Sequence, residues 1–261
     1  MKNIFFTIIL LLLSSTLYSQ EDTWLTFFEK SGGVETSRYE ETMNFCTRLS
    51  DASSWVTFTS FGKSGQGNSL PLLIVDSQGL KTADEVRKSG KAVLLVEACI
   101  HPGECEGKDA GITLIRDIVI NKKYPGLLDH LTLLFIPIFN VDGFTRFGPY
   151  NRINQNGPKE MGWRVNANNL NLNRDFLKAE TPEMQAWLKL FNEWMPDFFI
   201  DSHTTDGADY QYVITYQMET FGNMDKGLTD WSKSTFIPQM LGKMDEAGFP
   251  LFPYIEFRDW H

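Results

Sequence analysis

Cysteine is scarce in this 261-residue chain. Only Cys46, Cys99 and Cys105 occur, an odd set too small for a disulfide framework, and Cys99 with Cys105 is the only close pair. Cys46 and Cys99 are expected to be buried small hydrophobes. Positive charge is also in short supply. Lys and Arg number 24 against 33 Asp and Glu, a net charge of -9. That excludes a general nucleic-acid binder, which needs a basic footprint to displace counterions from phosphates. Repeats, low-complexity tracts and linkers rich in Pro and Ser are missing. With 42% hydrophobic and 22% charged residues, the composition is that of a globular protein rather than a disordered or fibrous one. Long apolar runs are missing after residue 13, so no later segment meets the roughly 20 residues of a membrane span.

The one early apolar run has another reading. Lys2 supplies a positive start, Ile4 to Leu13 is nearly unbroken apolar, and Ser14 to Ser19 is small and polar. Residues 1–20 therefore read as a secretory signal peptide, and the mature chain is expected to be secreted or periplasmic. No cysteine follows the apolar core, so no lipid anchor is expected there. Residues 21–261 are expected to form one domain.

Within it, helical and strand periods alternate. Ser37 to Ser50 has helical spacing, with Ser37-x-x-Glu40 as its capping box. Val56 to Phe61 and Leu70 to Val75 read as strands. Thr82-x-x-Glu85 opens a short helix that Gly90 stops. Ala92 to Ile100 and Leu131 to Phe139 are apolar runs typical of strands buried on both faces. Lys108 to Ile120 is helical. Thr181-Pro182 starts a helix that runs to about Trp194. Phe198 to Ile200 reads as a third apolar strand and Tyr210 to Tyr216 as a fourth. The pattern predicts an α/β fold, a three-layer α/β/α sandwich around a mixed, mostly parallel sheet. Function in such sheets gathers at the carboxyl ends of strands. Those ends read Ile100-His101, Phe139-Asn140 and Asp201-Ser202-His203.

His101-Pro102-Gly103-Glu104 is the most informative tetrapeptide. Pro then Gly at the middle positions predicts a type II turn, which brings its first and fourth residues within about 7 Å. Imidazole beside carboxylate is a zinc-type ligand pair, and His203 at another strand end can complete a His₂Glu set. Only four histidines exist, and His130 and His261 have no comparable context. Taken alone, His-x-x-Glu is common by chance and can be a satisfied core pair. Two other chemistries fail on spacing. Gly62-Lys63-Ser64 is not a P-loop, because the required upstream glycine is Thr57. No Gly-x-Ser-x-Gly elbow occurs in a strand–turn–helix setting.

Further motifs follow in order: Asn140-Val141-Asp142-Gly143, then Asn171-Leu172-Asn173-Arg174, then His203. With the upstream Gly62-Lys63-Ser64-Gly65-Gln66-Gly67, this order resembles the zinc carboxypeptidases of the carboxypeptidase A-like family, across about residues 56–216. The resemblance implies one Zn²⁺ held by His101, Glu104 and His203, a ligand pattern that carboxypeptidase A itself exemplifies. It implies that Asn173 and Arg174 receive the free C-terminal carboxylate of a peptide or peptide-like substrate, a task suited to a guanidinium. The alternative for Arg174 is a salt bridge to a neighbour such as Asp175. Arg164, ten positions before Arg174, is the preferred oxyanion-stabilising arginine, with Arg152 as its rival.

The chain departs from the family pattern twice. Val141 stands where Pro is usual. The catalytic Glu expected on a late strand has no counterpart in matching context among Glu219, Asp225, Asp230, Asp245, Glu246, Glu256 and Asp259. The domain is therefore expected to be incomplete at its C-terminus. A chain without that base would bind zinc and peptide ends but hydrolyse roughly 10²–10⁴-fold more slowly. The competing readings are a zinc deacylase of N-acyl amino acids and an inactive peptide-binding pseudoenzyme. Residues 206–210 are expected to form an ordinary turn or part of a subsite.

Overall fold

The computed structural model describes residues 24–219 and 223–254. The expected signal peptide at 1–20, Glu256 and Asp259 lie outside the described residues. The chain divides into two compact units, Met1–Gly207 and Ala208–His261.

In the first unit, a helical turn at Phe27–Lys30 precedes α1 (Tyr39–Ala52). There follow β1 (Val56–Lys63), β2 (Ser69–Val75), α2 (Ala83–Ser89), β3 (Ala92–Glu97), α3 (Glu106–Val119) and β4 (Leu131–Ile136). After a long irregular stretch come α4 (Pro182–Trp194) and β5 (Phe198–Asp201). The sheet order is β1-β2-β4-β3-β5. β1 pairs β2 and β2 pairs β4 antiparallel, whereas β3 pairs both β4 and β5 in parallel. The sheet is mixed, and its parallel half points the ends of β3, β4 and β5 the same way.

Helices cover both faces, as expected for three layers. Cys46 and Leu49 of α1 and Ile112, Ile115 and Ile118 of α3 pack with Val56, Leu73, Val75, Leu133 and Phe135. Val86 of α2 and Met184, Trp187 and Leu190 of α4 pack with Leu72, Ile74, Val93, Leu95 and Leu134. Each such buried side chain contributes on the order of 1.5–3 kcal/mol. All three cysteines are buried and free. The α2 capping box forms between Thr82 and Glu85, and Gly90 ends that helix in the left-handed conformation. Thr181 accepts from the Met184 amide at the start of α4.

Four local expectations are corrected. The α1 cap is shifted by one residue: the Glu41 carboxylate accepts the Arg38 amide. Ser37 is drawn elsewhere, because its hydroxyl meets Lys108 Nζ and Thr42 Oγ1, each at 2.8 Å. β3 is not buried along both faces, since Ala92 is exposed and Leu94 and Val96 are half-buried. β5 is an edge strand, which leaves Ile200 42% exposed. Finally, only Ile214–Tyr216 (β6) of the expected fourth strand forms, outside the main sheet. In the second unit it pairs in parallel with β7 (Leu251–Pro253). Between them lie α5 (Lys226–Trp231), a π-helical turn at Ser232–Phe236 and α6 (Ile237–Glu246). Ile214 is 46% exposed and no residue of β6 is fully buried, so this strand buries no apolar face in a sheet core.

Candidate metal centre

The centre is built where β3 ends. Cys99 takes φ of 57°, left-handed backbone that costs a non-glycine residue about 1–2 kcal/mol. The Asn140 amide donates to the Cys99 carbonyl at 3.1 Å and holds that bend. The chain then enters the turn His101–Glu104, closed by the Glu104 amide on the His101 carbonyl at 2.9 Å. The turn is not type II, because Gly103 is absent from the residues of positive φ. The glycine serves close packing instead. A Cβ there would lie 2.4 Å from Cγ of Arg152.

His101, Glu104 and His203 offer ligand atoms all within 4.8 Å of one another. His101 Nδ1 lies 3.0 Å from Glu104 Oε1, and His203 Nδ1 lies 2.8 Å from Glu104 Oε2. Both imidazoles therefore present the same nitrogen to one carboxylate. Their outer nitrogens are held from behind. His101 Nε2 is 3.1 Å from Asn171 Oδ1, and His203 Nε2 is 2.8 Å from Asp201 Oδ2. An acceptor on the far ring nitrogen is the arrangement that fixes tautomer and orientation in metal-binding histidines. His101 Nδ1 is buried without a partner of hydrogen-bond geometry. An orphaned ring nitrogen, a carboxylate and a second imidazole are a donor set that suits Zn²⁺.

The electrostatics follow from the crowding of nitrogen donors on Glu104. Burial alone would raise its pKa, but His101 and His203 outweigh it and hold the carboxyl well below the usual range. The Thr204 amide adds a bond to Oε2 at 3.1 Å. For His203, burial alone would lower the pKa, but the Asp201 and Glu104 carboxylates raise it to about 10.

Both arginine candidates reach this carboxylate. Arg152 is 6% exposed, donates to Glu104 Oε1 at 3.0 Å and also pairs with Asp206. The Arg164 side chain is 32% exposed and stands farther off, at 3.4 Å from Glu104 Oε1 and 3.3 Å from Asp206 Oδ1. Asp206 is thus engaged by two guanidiniums, beyond an ordinary turn residue. Asn173 Nδ2 lies 3.4 Å from His203 Nε2. Arg174 is exposed and donates to the Asn173 carbonyl. It makes no salt bridge to Asp175, whose carboxylate instead accepts from Glu180 and Thr181 ahead of α4.

The other motifs hold the frame. Asn140 accepts the Gly143 amide and donates to the Arg164 carbonyl at 3.2 Å. The Val141 amide donates to the Phe139 carbonyl, a bond Pro could not make. A Cβ on Gly143 would lie 2.5 Å from the Trp163 carbonyl oxygen. Fully buried Asp142 receives the Ser64 hydroxyl, the Gln66 amide and the Asn68 side chain. Glu183 receives the Gly65 amide. Two amides of the glycine-rich hairpin therefore face carboxylates of the chain itself rather than a phosphate.

Asn171 and Asp201 were not identified as site residues from sequence, and Asp206 only within a segment expected to be a turn or part of a subsite. For Asp201 a signal existed, a carboxylate two positions before a strand-end histidine. For Asn171 the signal was its place two residues before Asn173, whose amide it accepts. Three of the late carboxylates have local partners: Glu219 with Asn223, Asp225 with the Gly227 amide and Asp230 with Lys226.

A family model described as zinc carboxypeptidase matches residues 42–234. No curated protein matches the sequence. Among solved structures, a Shewanella denitrificans protein assigned as a carboxypeptidase A superposes with a TM-score of 0.63 at 19% identity, over 85% of this chain and 52% of that one. A metallo-carboxypeptidase from Burkholderia cenocepacia gives 0.60 at 19%, over 84% and 53%. Carboxypeptidase A from Helicoverpa armigera gives 0.60 at 18%, over 92% and 64%. At such identities the likeness is one of fold, and this chain spans about half the length of the first of them.

Proposed function

The chain belongs to the zinc carboxypeptidase family, and from that premise we propose that it binds one Zn²⁺ and takes peptide or peptide-like substrates by their free C-terminal carboxylate, for hydrolysis of the last peptide bond. The observation that carries this reading is the convergence of two imidazole Nδ1 atoms on Glu104 with both Nε2 atoms backed by acceptors. His101, Glu104 and His203 are the proposed ligands. When bound, zinc supplies a water of lowered pKa and a Lewis acid for the scissile carbonyl.

The remaining roles fall to the chain. Arg152, buried and engaged by both Glu104 and Asp206, orders the loop beneath the ligands. Arg164, more exposed and at longer range, is free to turn toward the negative charge that develops on the carbonyl oxygen. Arg174, without a carboxylate partner among the described residues, is available to grip the substrate's terminus, with Asn173 beside it. No described carboxylate is assigned the general-base role.

The test is zinc content of the purified chain, followed by binding and cleavage of matched peptides with free and amidated C-termini. About one equivalent of zinc, lost in His101→Ala and Glu104→Ala, and preference for the free terminus are expected. A folded chain that holds no zinc would overturn the reading. We further propose export through residues 1–20. No helix among the described residues is long and apolar enough to cross a membrane. Recovery of the protein outside the cytoplasm with its N-terminus near Gln20 supports export, and cytoplasmic protein beginning at Met1 contradicts it.

A further inference from the structure

A second carboxylate lies beneath the centre. Glu97 ends β3 and is fully buried. Its Cα partner across the parallel pairing is Asp201, the last residue of β5. Side chains paired in this way project to one face of the sheet, here the face covered by α4, where Val93, Leu95 and Trp187 pack. Asp201 uses Oδ2 to hold His203 Nε2. Its Oδ1 is buried and lacks a partner, and so are both oxygens of Glu97.

We propose that Glu97 is a positioning residue for the metal centre, bonding through its carboxyl group to Oδ1 of Asp201 so that Oδ2 stays locked on His203. The proposal rests on the zinc-site reading given above. Three oxygens, both of Glu97 and Oδ1 of Asp201, are buried without a donor, and a carboxyl proton on Glu97 satisfies an oxygen on each side chain. Glu97 is the member that keeps it. Its burial, and then the neighbouring Asp201 charge, push its carboxyl well above the usual range, while the Trp187 indole offsets part of the rise. Asp201 faces the imidazole through its other oxygen, Oδ2. The result is a relay from the apolar face to the ligand: Glu97 to Asp201, Asp201 to His203, His203 to Glu104.

The experiment is zinc affinity of the full chain by competition with a chromophoric chelator, with thermal midpoints measured in parallel. Glu97→Leu should weaken zinc binding about 10–100-fold at temperatures where it is still folded, the usual cost of losing an outer-shell partner. Glu97→Gln, whose amide still donates to Asp201, should bind zinc within about threefold of the parent, a small fraction of that loss. Glu97→Met serves in place of Leu if that variant does not fold. Asp201→Ala should weaken binding, and adding Glu97→Leu to it should cost nothing further, because one residue acts through the other. Parental zinc affinity in folded Glu97→Leu or Glu97→Met would overturn the proposal, as would additive losses in the double variant. A parent chain without zinc affinity would instead sink the zinc-site reading and this inference with it.

Discussion

The two compact units treat charge in opposite ways. In Met1–Gly207, Asp76, Lys91, Glu104, Lys108 and Asp142 are all buried and each is held by named partners. In Ala208–His261, the described residues that are buried are Thr229 and Ser232, and no large hydrophobic joins them. Its strands are three residues long, and its ion pair Lys226–Asp230 is exposed. Isolated two-stranded pairings are marginal in water. A charge can be aimed only where a rigid core surrounds it, and that explains why the proposed ligands gather at the ends of β3 and β5.

The largest effect should come from the ligands. His203→Ala should lower zinc affinity by more than the 10–100-fold that loss of a supporting partner costs. Near-parental affinity by chelator competition would remove His203 from the site and break the link between core and function. Next comes the frame. Lys91 and Asp76 are 2.8 Å apart with side chains 3% and 0% exposed. Lys91→Ala leaves a buried carboxylate unpaired and should cost about 3–5 kcal/mol in denaturant unfolding. Lys226→Ala, in the second unit, should leave the midpoint unchanged. Equal losses would erase the contrast between the units.

Arg174→Ala should weaken binding of free C-termini by about 10–100-fold, the worth of a charge-assisted hydrogen bond, and leave amidated peptides unchanged. Equal losses for both would contradict the clamp.

The most graded effects are those of pH. His203 in the zinc-free chain has its pKa raised to about 10 against an ordinary 6.5. Its proton therefore stabilises that form fully below about pH 6.5, and the contribution is lost as pH rises through 10. Zinc needs the neutral ring, so binding should release protons and affinity should climb between pH 6 and 9. Calorimetry in buffers of different ionisation enthalpy reads that release; no proton release at pH 7 would place the metal elsewhere. Asp76 has the opposite sign. Burial would raise its carboxyl, but Lys91, Thr132 and two amides lower it. That stability is present above the unfolded value near 3.8 and is lost as pH falls through the lower folded value. Lys91→Ala should flatten this acid limb in pH-dependent unfolding.

How far these features were legible in the chain depended on whether their cause was local. Thr82, Glu85 and Gly90 bracket α2 with short-range bonds, and the sequence reading of that helix agrees with the structure. Ser37 did not cap α1, because Lys108, 71 positions away, takes its hydroxyl. Pro102-Gly103 announced a turn, yet its glycine answers to the side chain of Arg152 rather than to φ. The Phe198 to Ile200 run looked like a buried strand, and only the strand order shows it to be an edge.

The sequence by itself determined the alternation of strands and helices and the ordered His101, Glu104, Asn140, Asn173, Arg174 and His203, because periodicity and turn chemistry act over a few residues. Only the tertiary structure decided the partners of those residues. Asn171 behind His101, Asp206 between two arginines and Glu97 beneath Asp201 all depend on parallel pairing and on loops that meet across the sheet end. Contacts between residues so far apart in the chain leave no periodic trace, and the buried carboxyl of Glu97 reads in sequence as one acid at the end of an apolar strand.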